Sequence, residues 1–196
     1  MRRDDGLPCP PREVGPAVLD DRPLVVLGLR AALAGVGGAD GLLVVGRTPR
    51  ALEAVRAATE RGRPVVLLVD DVDRPGEVTA ALEAGARGVA LTAGSVAELL
   101  HVVASARAGR VALAAAVAER LEECDRLRAL FTPRELEVLR LYATGLPAKS
   151  VARRLDVGLE TVKTYIKRLR EKANAAAIPT DTRLELAALT RRLDLS

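Results

Sequence analysis

The first half of the chain contains four short runs of apolar residues, separated by stretches of helical character. The runs cover residues 17–19, 42–45, 65–69 and 88–91. Their apolar residues are continuous rather than alternating, which is typical of parallel strands that helices cover on both faces. The order strand, helix, strand, helix therefore predicts a three-layer α/β sandwich over residues 16–108.

Helix-start signals lie between these runs. Thr48 comes directly before Pro49, a pairing that suits a cap followed by a first-turn proline. Ser95 has Glu98 three residues later, which is the spacing of a capping box. These signals support helices between the strands.

Two segments flank the predicted sandwich. Residues 1–15 contain Pro8, Pro10 and Pro11, a composition that favours an extended, flexible arm outside the fold. Residues 109–128 include an Ala-, Leu- and Glu-rich stretch from Val111 to Leu127, which predicts a linker helix.

A second domain is predicted for residues 129–196, and it contains helices alone. Thr132, Pro133 and Glu135 together form a dense helix-start signal. The four predicted helices cover residues 133–144, 148–155, 159–174 and 182–193, and the last begins with a second capping box. The second and third helices are joined by a three-residue turn that contains Gly158, which fits helix-turn-helix geometry.

The net charge of +4 is divided unevenly along the chain. Up to Leu127 there are 16 arginines against 18 acidic residues, a net charge of −2. This leaves 14 basic and 8 acidic residues after it, a net charge of +6, and all four lysines of the chain lie there. The basic domain is therefore expected to bind a polyanion.

The third helix of this domain combines a buried stripe with an exposed cationic face. Val162, Ile166 and Leu169 recur at spacings of four and three, which predicts the stripe. Lys163 and Lys167 are one turn apart, about 6 Å along the axis, so both can project toward one groove of a duplex. Such a face suits major-groove reading, although a solvated amphipathic helix has the same pattern.

The flanking residues resemble a known family. The segments that carry the resemblance are FTPRELEVLRL at 131–141, Gly145-Leu146, VARRL at 151–155 and TVKTY at 161–165. Together they look like the LuxR-type helix-turn-helix of NarL/FixJ response regulators. The resemblance covers most of residues 130–193 and implies that residues 148–167 bind double-stranded DNA.

The resemblance also implies roles for single residues. Lys163, Thr164 and Lys167 take the base-reading positions, and Thr161 takes a position that contacts the DNA backbone. The other candidate DNA-binding residues are Glu160, Arg168, Arg170, Lys149 and Arg134. The chain departs from the family at Gly158, where Ser or Thr is usual, and at residues 173–179, a longer connection before the last helix.

The N-terminal half resembles the receiver domain of the same family, a flavodoxin-like parallel sheet. Asp20 and Asp21 follow the first run, as the acidic pair of a receiver does. Because a receiver has five strands and four runs are visible, one βα unit is expected to be missing. Gly46 stands at the place of the phospho-acceptor aspartate or, in an alternative alignment, Val69 does. The lysine of the family pattern falls on Thr92.

Aspartyl phosphorylation needs a carboxylate nucleophile, acids that hold Mg²⁺ and a cation that neutralises the phosphoryl oxygens. Of these groups, only the acidic pair Asp20 and Asp21 is retained, and no lysine precedes Lys149. A second acidic cluster follows the third run: Asp70, Asp71 and Asp73. We interpret this cluster as a solvated loop and helix cap, and we predict a pseudo-receiver that does not use the phosphorylation cycle.

The sequence gives little support to an enzyme or a metalloprotein. Cys9 and Cys124 are far apart, and His101 is the only histidine, so a disulfide framework, a zinc site and a His-dependent triad are not expected. No cofactor is predicted. The longest apolar run, residues 111–118, is far shorter than the ~18 residues of a membrane span. The charged start of the chain does not resemble a secretory signal, so we expect a cytoplasmic protein.

These observations favour a bacterial transcription regulator, an atypical orphan response regulator that binds paired half-sites as a homodimer. Two alternatives remain open at this point. In one, the pseudo-receiver binds a small-molecule effector that controls DNA binding. In the other, the chain is chiefly a protein-interaction module that partners another regulator.

Overall fold

The computed structural model describes residues 15–36 and 41–195. Apart from Gly15, the arm predicted for residues 1–15 lies outside the described residues. These residues form two compact units. One contains the described residues up to Asp70 together with Ala80–Ala114, and the other contains Asp71–Thr79 together with the chain from Ala115 onward. The domain boundaries predicted from the sequence remain predictions.

The first unit is built on a parallel sheet. Its strands are β1 (Ala17–Leu19), β2 (Leu43–Val45), β3 (Val65–Val69), β4 (Gly88–Leu91) and β5 (Ala112–Leu113). They lie side by side in the order β1-β2-β3-β4-β5, and every neighbouring pair is parallel. The first four strands coincide with the four predicted apolar runs, and the predicted α/β class is confirmed.

Helices alternate with the strands: α1 (Pro23–Leu33), α2 (Ala51–Glu60), α3 (Pro75–Glu83) and α4 (Val96–Arg107). Ser95 caps α4 as predicted, since its side chain accepts a hydrogen bond from the backbone N–H of Glu98 at 3.1 Å. α2 begins at Ala51, later than the Thr48-Pro49 signal predicts, and its N-cap Arg50 makes no side-chain cap bond.

Both faces of the sheet are buried. Leu29 and Leu33 of α1 and Val102 of α4 pack in one cluster with Val44 and Val66 of the sheet. Neighbouring strand residues are also buried and, because side chains alternate along a strand, they face the other side of the sheet. The unit is therefore a three-layer sandwich.

The prediction of four strands is wrong, because the described residues contain a fifth. Gly109, with φ +73°, turns the chain after α4. The N–H groups of Ala112 and Ala114 then donate to the carbonyl oxygens of Arg87 and Val89, at 2.9 and 2.8 Å. The Ala-rich composition favours a helix here, but pairing with β4 overrides this propensity, and the following helix begins only at Ala115.

The strand order also differs from that of a flavodoxin-like sheet. In the order 2-1-3-4-5 the first strand has a neighbour on each side. Here β1 pairs with β2 and is an edge strand of the described sheet. Within residues 15–36 and 41–195, no strand lies outside β1, and β5 forms the opposite edge of the sheet.

The second unit contains α5 (Ala115–Arg128), α6 (Pro133–Ala143), α7 (Ala148–Leu155), α8 (Leu159–Ala175) and α9 (Arg183–Arg192). Both capping boxes predicted for this unit are present, Thr132 with Glu135 at α6 and Thr182 with Glu185 at α9. Leu127 of α5 packs in the same cluster as residues of α8 and α9. Within the described part of the chain, none of these helices combines the length and apolarity needed to cross a membrane.

Hydrogen exchange in D₂O distinguishes β5 from the predicted helix. In the sheet, the amides of Ala112 and Ala114 are hydrogen-bonded to β4, so we expect both to exchange slowly, whereas the amide of Val111 exchanges fast. A helix that began at Val111 would leave its first four N–H groups, at residues 111–114, without intrahelical partners. Fast exchange at both Ala112 and Ala114, measured by NMR, would contradict the strand.

Candidate nucleic-acid interface

The turn between α7 and α8 fixes the direction of α8. Asp156 ends α7 in a left-handed conformation (φ 52°, ψ 50°), which Asp tolerates better than most residues. The N–H of Val157 donates to the carbonyl of Ala152 at 3.0 Å, closing the end of α7. Gly158 is extended and serves as the N-cap of α8. The chain therefore reverses within three residues, as the helix-turn-helix prediction requires.

One face of α8 is packed into two apolar clusters. Val162 is buried with Val138, Val151 and Ala152 of α6 and α7. Further along α8, Leu169 and Ala173 are buried in a second cluster, together with side chains of α6 and α9. The predicted stripe is therefore buried at Val162 and Leu169, whereas Ile166 is only partly buried between them.

The opposite face of α8 carries the predicted base-reading residues. Lys163, Thr164 and Lys167 are all exposed, and so are Thr161, Glu160 and Arg168. Lys163 Nζ lies 2.8 Å from Glu160 Oε1, and the Thr164 hydroxyl donates to the carbonyl of Glu160 at 2.8 Å. Lys167 Nζ lies 3.8 Å from Glu171 Oε1. Exposed ion pairs of this kind contribute little to stability, so a stronger anion can displace their carboxylates.

The cationic face borders a groove of about 480 Å³. The groove is lined by Lys163, Lys167 and Arg170 together with Tyr142, Ala148, Ile166, Glu171 and Asn174. Arg170 is partly buried, and its Nε has no hydrogen-bond partner among the described residues. Its Nη2 approaches the carbonyl of Asp181 only at 3.4 Å. The groove thus brings three cations together with apolar side chains and one carboxylate, that of Glu171.

Two of the predicted DNA-binding residues, Lys149 and Arg134, differ in their surroundings. Lys149 is exposed in the first turn of α7 and can reach an external anion. Arg134 is engaged within the domain, because Nη1 lies 2.6 Å from Glu137 Oε2 and Nη2 donates to the carbonyl of Leu155 at 2.7 Å. Arg134 therefore holds the end of α7 in place.

A partly buried ion pair that the sequence did not predict joins α6 to α8. Glu135, the capping-box residue of α6, has a buried side chain whose Oε2 lies 2.6 Å from Lys172 Nζ. Burial acts to raise the pKa of Glu135, but the hydrogen bonds from Lys172 and Thr132 outweigh it and lower the pKa. The capping box was visible in the sequence, whereas no local signal links residue 135 to residue 172.

A second polar cluster lies at the carboxyl ends of the strands. Asp20, Gly46, Asp70 and Thr92 are the residues that directly follow β1, β2, β3 and β4. Arg22 lies between two of them: its Nη2 is 2.7 Å from Asp20 Oδ2, and its Nη1 is 2.5 Å from Asp70 Oδ1. The Thr92 hydroxyl donates to the same Asp70 oxygen at 2.8 Å. Asp70 is an exposed loop residue, as predicted, but it is also ion-paired.

Asp20 is the buried member of this cluster. Its side chain is fully buried, and it accepts hydrogen bonds from Nε, Nη2 and the backbone N–H of Arg22 and from the backbone N–H of Arg47. The hydrogen bonds of the Arg22 side chain lower the pKa of Asp20 from 3.8 to about 2. Arg22 and Thr92 also lower the pKa of Asp70. Asp21, by contrast, is exposed and pairs with Arg47 at 3.0 Å.

This edge of the sheet does not fit a Mg²⁺ ion. The Asp20 carboxylate already accepts from four N–H groups, and no group of three or more His, Cys, Asp or Glu side chains within the described residues could hold a metal. A Cβ at Gly46 would lie only 2.0 Å from Asp20 Oδ2, so this position leaves no room for a side chain. Val69, the alternative position, is buried in β3.

Residues 129–181 match the family model of bacterial regulatory proteins of the luxR family. The nitrate/nitrite response regulator protein NarL of Escherichia coli (strain K12) is 34% identical over 129 residues, which are 62% of this chain and 59% of NarL. The transcriptional regulatory protein DesR of Bacillus subtilis (strain 168) is 33% identical over 122 residues, 62% of this chain and 59% of DesR. The chain thus spans about three fifths of the length of these relatives, and neither is named as an enzyme.

Among solved structures, a single chain from the structure of two RcsB dimers bound to two parallel DNAs matches with a TM-score of 0.59. Its sequence identity is 18%, and the match covers 91% of this chain and 98% of that chain. At this identity the likeness concerns the fold alone. The comparisons confirm the predicted resemblance to LuxR-type response regulators and the predicted pairing of a receiver-like α/β domain with a helical C-terminal domain.

Replacing Asp20 by Asn tests the cluster at the strand ends. The substitution removes a buried charge that Arg22 and two backbone N–H groups stabilise, and we expect the free energy of unfolding to fall by about 2 kcal/mol at pH 7. Urea denaturation followed by circular dichroism measures the change. Asp21→Asn, at an exposed ion pair, serves as the control and is expected to cost less than about 0.5 kcal/mol.

The pH dependence of this effect follows from the lowered pKa of Asp20. Because the folded-state pKa lies below the unfolded value, the stabilisation is fully present above the unfolded value near 3.8 and is lost as the pH falls through about 2. The difference between the two proteins should therefore shrink between pH 4 and pH 2. An equal difference at pH 7 and pH 2 would contradict the assigned role of Asp20.

Proposed function

We propose that this chain is a bacterial transcription regulator, acting in the cytoplasm, whose residues 129–196 bind double-stranded DNA through α8. Two copies bind as a dimer on half-sites about one helical turn apart. Residues 16–108 form an atypical receiver that acts independently of aspartyl phosphorylation, and residues 109–128 connect the two domains.

The observation that carries the proposal is the division of α8 into a packed face and a cationic face. Val162 and Leu169 hold the helix against the domain, so Lys163, Thr164 and Lys167 are presented outward from a rigid element. A helix of this kind fits the major groove, where lysine can donate to guanine and threonine can contact a base edge. The proposed dimer is supported by the structural neighbour RcsB, which was solved as two dimers bound to two parallel DNAs.

The remaining candidates take supporting roles. Thr161 lies in the first turn of α8, where unpaired N–H groups and the helix dipole favour a phosphate. Lys149, Arg168 and Arg170 supply further cations to the DNA backbone. Glu160 orients Lys163 through their 2.8 Å ion pair. Arg134 stabilises the domain instead of contacting DNA, because both terminal nitrogens of its guanidinium are engaged by Glu137 and by the carbonyl of Leu155.

Lys163→Ala combined with Lys167→Ala tests the interface. A lysine cation placed on the duplex neutralises about one phosphate charge and releases about one counterion, so the magnitude of the slope of log K against log salt should decrease by about two. Fluorescence anisotropy with a labelled mixed-sequence duplex, over a series of salt concentrations, measures the slope.

The matched control for this experiment is Arg126→Ala with Arg191→Ala, which removes two exposed cations on α5 and α9 of the same unit. We expect this control to leave the slope nearly unchanged, with circular dichroism showing that both variants remain folded. Equal slopes for the lysine variant and the unmodified chain would sink the assignment of α8 as the DNA-binding helix.

The proposal of a phosphorylation-independent receiver rests on the cluster around Arg22. The guanidinium of Arg22 engages Asp20 and Asp70, the carboxylates that directly follow β1 and β3. Gly46, at the end of β2, offers neither a nucleophile nor space for one. A receiver that lacks both the acceptor carboxylate and a metal-binding geometry cannot form the aspartyl phosphate.

Treatment with acetyl phosphate and Mg²⁺, followed by intact-mass measurement, tests this part of the proposal. We expect no stable adduct, because Asp20 is buried and hydrogen-bonded to Arg22. A receiver of known activity, treated in parallel, verifies that the phosphodonor is competent. A phosphoryl adduct that peptide mapping places within residues 16–108 would overturn the proposal of a phosphorylation-independent receiver.

A further inference from the structure

A pocket in the second unit is lined by several arginines. It has a volume of about 430 Å³, and every residue that lines it belongs to the second unit. Pockets that bind small molecules usually enclose about 300–1,000 Å³, so this pocket is large enough for a ligand. We call it the arginine pocket, after its four arginines: Arg74, Arg120, Arg191 and Arg192.

Three separate segments bring these arginines together. On α9, Arg191 and Arg192 follow Ala188 at spacings of three and four, so this face of the helix lines the pocket. Arg120 comes from α5, and Arg74 directly precedes α3. A charged face along a single helix is usually only solvated, whereas cations from three segments around one space indicate a binding site.

Two of the four arginines are held side by side by one carboxylate. Glu123 Oε2 lies 3.3 Å from Arg120 Nη1, and Glu123 Oε1 lies 2.7 Å from Arg192 Nη2. Arg120 Nη2 also donates to the carbonyl of Arg192 at 2.9 Å, and the Arg120 side chain is only 10% exposed. Each guanidinium has five N–H donors, so both retain donors for a ligand. These two cations are therefore fixed in position before a ligand binds.

The other two arginines have no partner. The side chains of Arg74 and Arg191 are exposed, and neither makes a hydrogen bond or an ion pair with any residue of the described ranges 15–36 and 41–195. A guanidinium presents its N–H groups in a planar fork that matches the oxygens of a phosphate. The pocket thus combines two fixed cations with two that can turn toward an anion.

Three carboxylates line the same pocket: Asp71, Asp73 and Asp194. Two of them accept hydrogen bonds from backbone N–H groups, Asp71 Oδ1 from Asp73 at 2.9 Å and Asp194 Oδ2 from Gly76 at 2.5 Å. Carboxylates can also accept from the hydroxyl or amino groups of a ligand. A matching ligand therefore carries an anionic group for the arginines and hydrogen-bond donors for the carboxylates.

We propose that the arginine pocket binds a small phosphate ester that also bears hydroxyl or amino groups, such as a sugar phosphate or a mononucleotide. Arg74 and Arg191 turn toward its phosphate beside the fixed Arg120 and Arg192, and the carboxylates accept from the rest of the ligand. None of the lining residues lies on α8, so the inference does not rest on the proposed function.

The pocket suits a single phosphate better than duplex DNA. A duplex carries one negative charge per about 1.7 Å of its axis, so several phosphates would approach the pocket at once. The carboxylates of Asp71, Asp73 and Asp194 would repel them, whereas a single phosphate can be placed against the arginines alone. We therefore expect this pocket to contribute nothing to DNA binding.

Amide NMR spectra of the full chain, titrated with β-glycerol phosphate and with adenosine monophosphate, test the inference. We expect saturable shifts at Ala188, Arg191 and Arg192 with both esters. Glycerol and adenosine, which lack the phosphate, are the control ligands and should bind at least tenfold more weakly. No saturable shift with either ester up to millimolar concentration, shifts confined to α8, or equal binding of the control ligands would overturn the inference.

Arg74→Ala combined with Arg191→Ala removes the two arginines that have no partner. We expect the Kd of both esters to rise at least tenfold, because two charge-assisted contacts with the phosphate are lost. Arg153→Ala with Arg154→Ala removes two exposed arginines of α7 outside the pocket and should leave the Kd unchanged. Circular dichroism verifies that both variants are folded. An unchanged Kd for the Arg74 and Arg191 variant would count decisively against the site.

The salt dependence of DNA binding separates this inference from the proposed function. Arg74→Ala with Arg191→Ala should leave the slope of log K against log salt unchanged. A slope smaller in magnitude by about two would assign these arginines to the DNA backbone and overturn the ester site. A chain that binds the esters here but does not bind DNA would contradict the proposed function and support this inference.

Discussion

The burial of one side of α8 is the constraint on which the rest of the helical unit depends. Val162 anchors the start of the helix against α6 and α7, and Leu169 and Ala173 anchor its later turns in the second cluster. Fully burying a side chain of this size contributes about 1.5–3 kcal/mol, far more than any exposed ion pair on the other face. The packed side therefore fixes how α8 is rotated about its own axis. This rotation in turn decides that the cationic side chains face outward.

The sheet unit depends in a similar way on Arg22. Three strand ends converge on two carboxylates and a glycine, an arrangement that would leave acids close together without a cation. The guanidinium of Arg22 resolves this, because it donates to Asp20 and Asp70 at once. The same contacts occupy carboxylates that a metal ion would need, so the stability of this edge and the proposed loss of phosphorylation chemistry would have one physical cause.

Local patterns predicted much of the fold, and long-range pairing explains what they missed. The runs at residues 65–69 and 88–91 and the capping boxes of Thr132 and Thr182 depend on neighbouring residues, and all are present. β5 was predicted as helix, because its pairing with Arg87 and Val89 is invisible in an Ala-rich segment. For the candidate interface, periodicity located Lys163 and Lys167, but it did not reveal that Arg134 is engaged within the domain.

The central claim is that α8 brings this chain to specific DNA sequences in pairs. Selection of bound fragments from the source genome, with the full chain as bait, tests it most directly, because sequence preference and half-site spacing are read together. If α8 binds DNA as proposed, the enriched fragments will share a motif that is repeated at a spacing of about one helical turn. Fragments without a common motif, or recovered equally well by a chain carrying Lys163→Ala and Lys167→Ala, would contradict it.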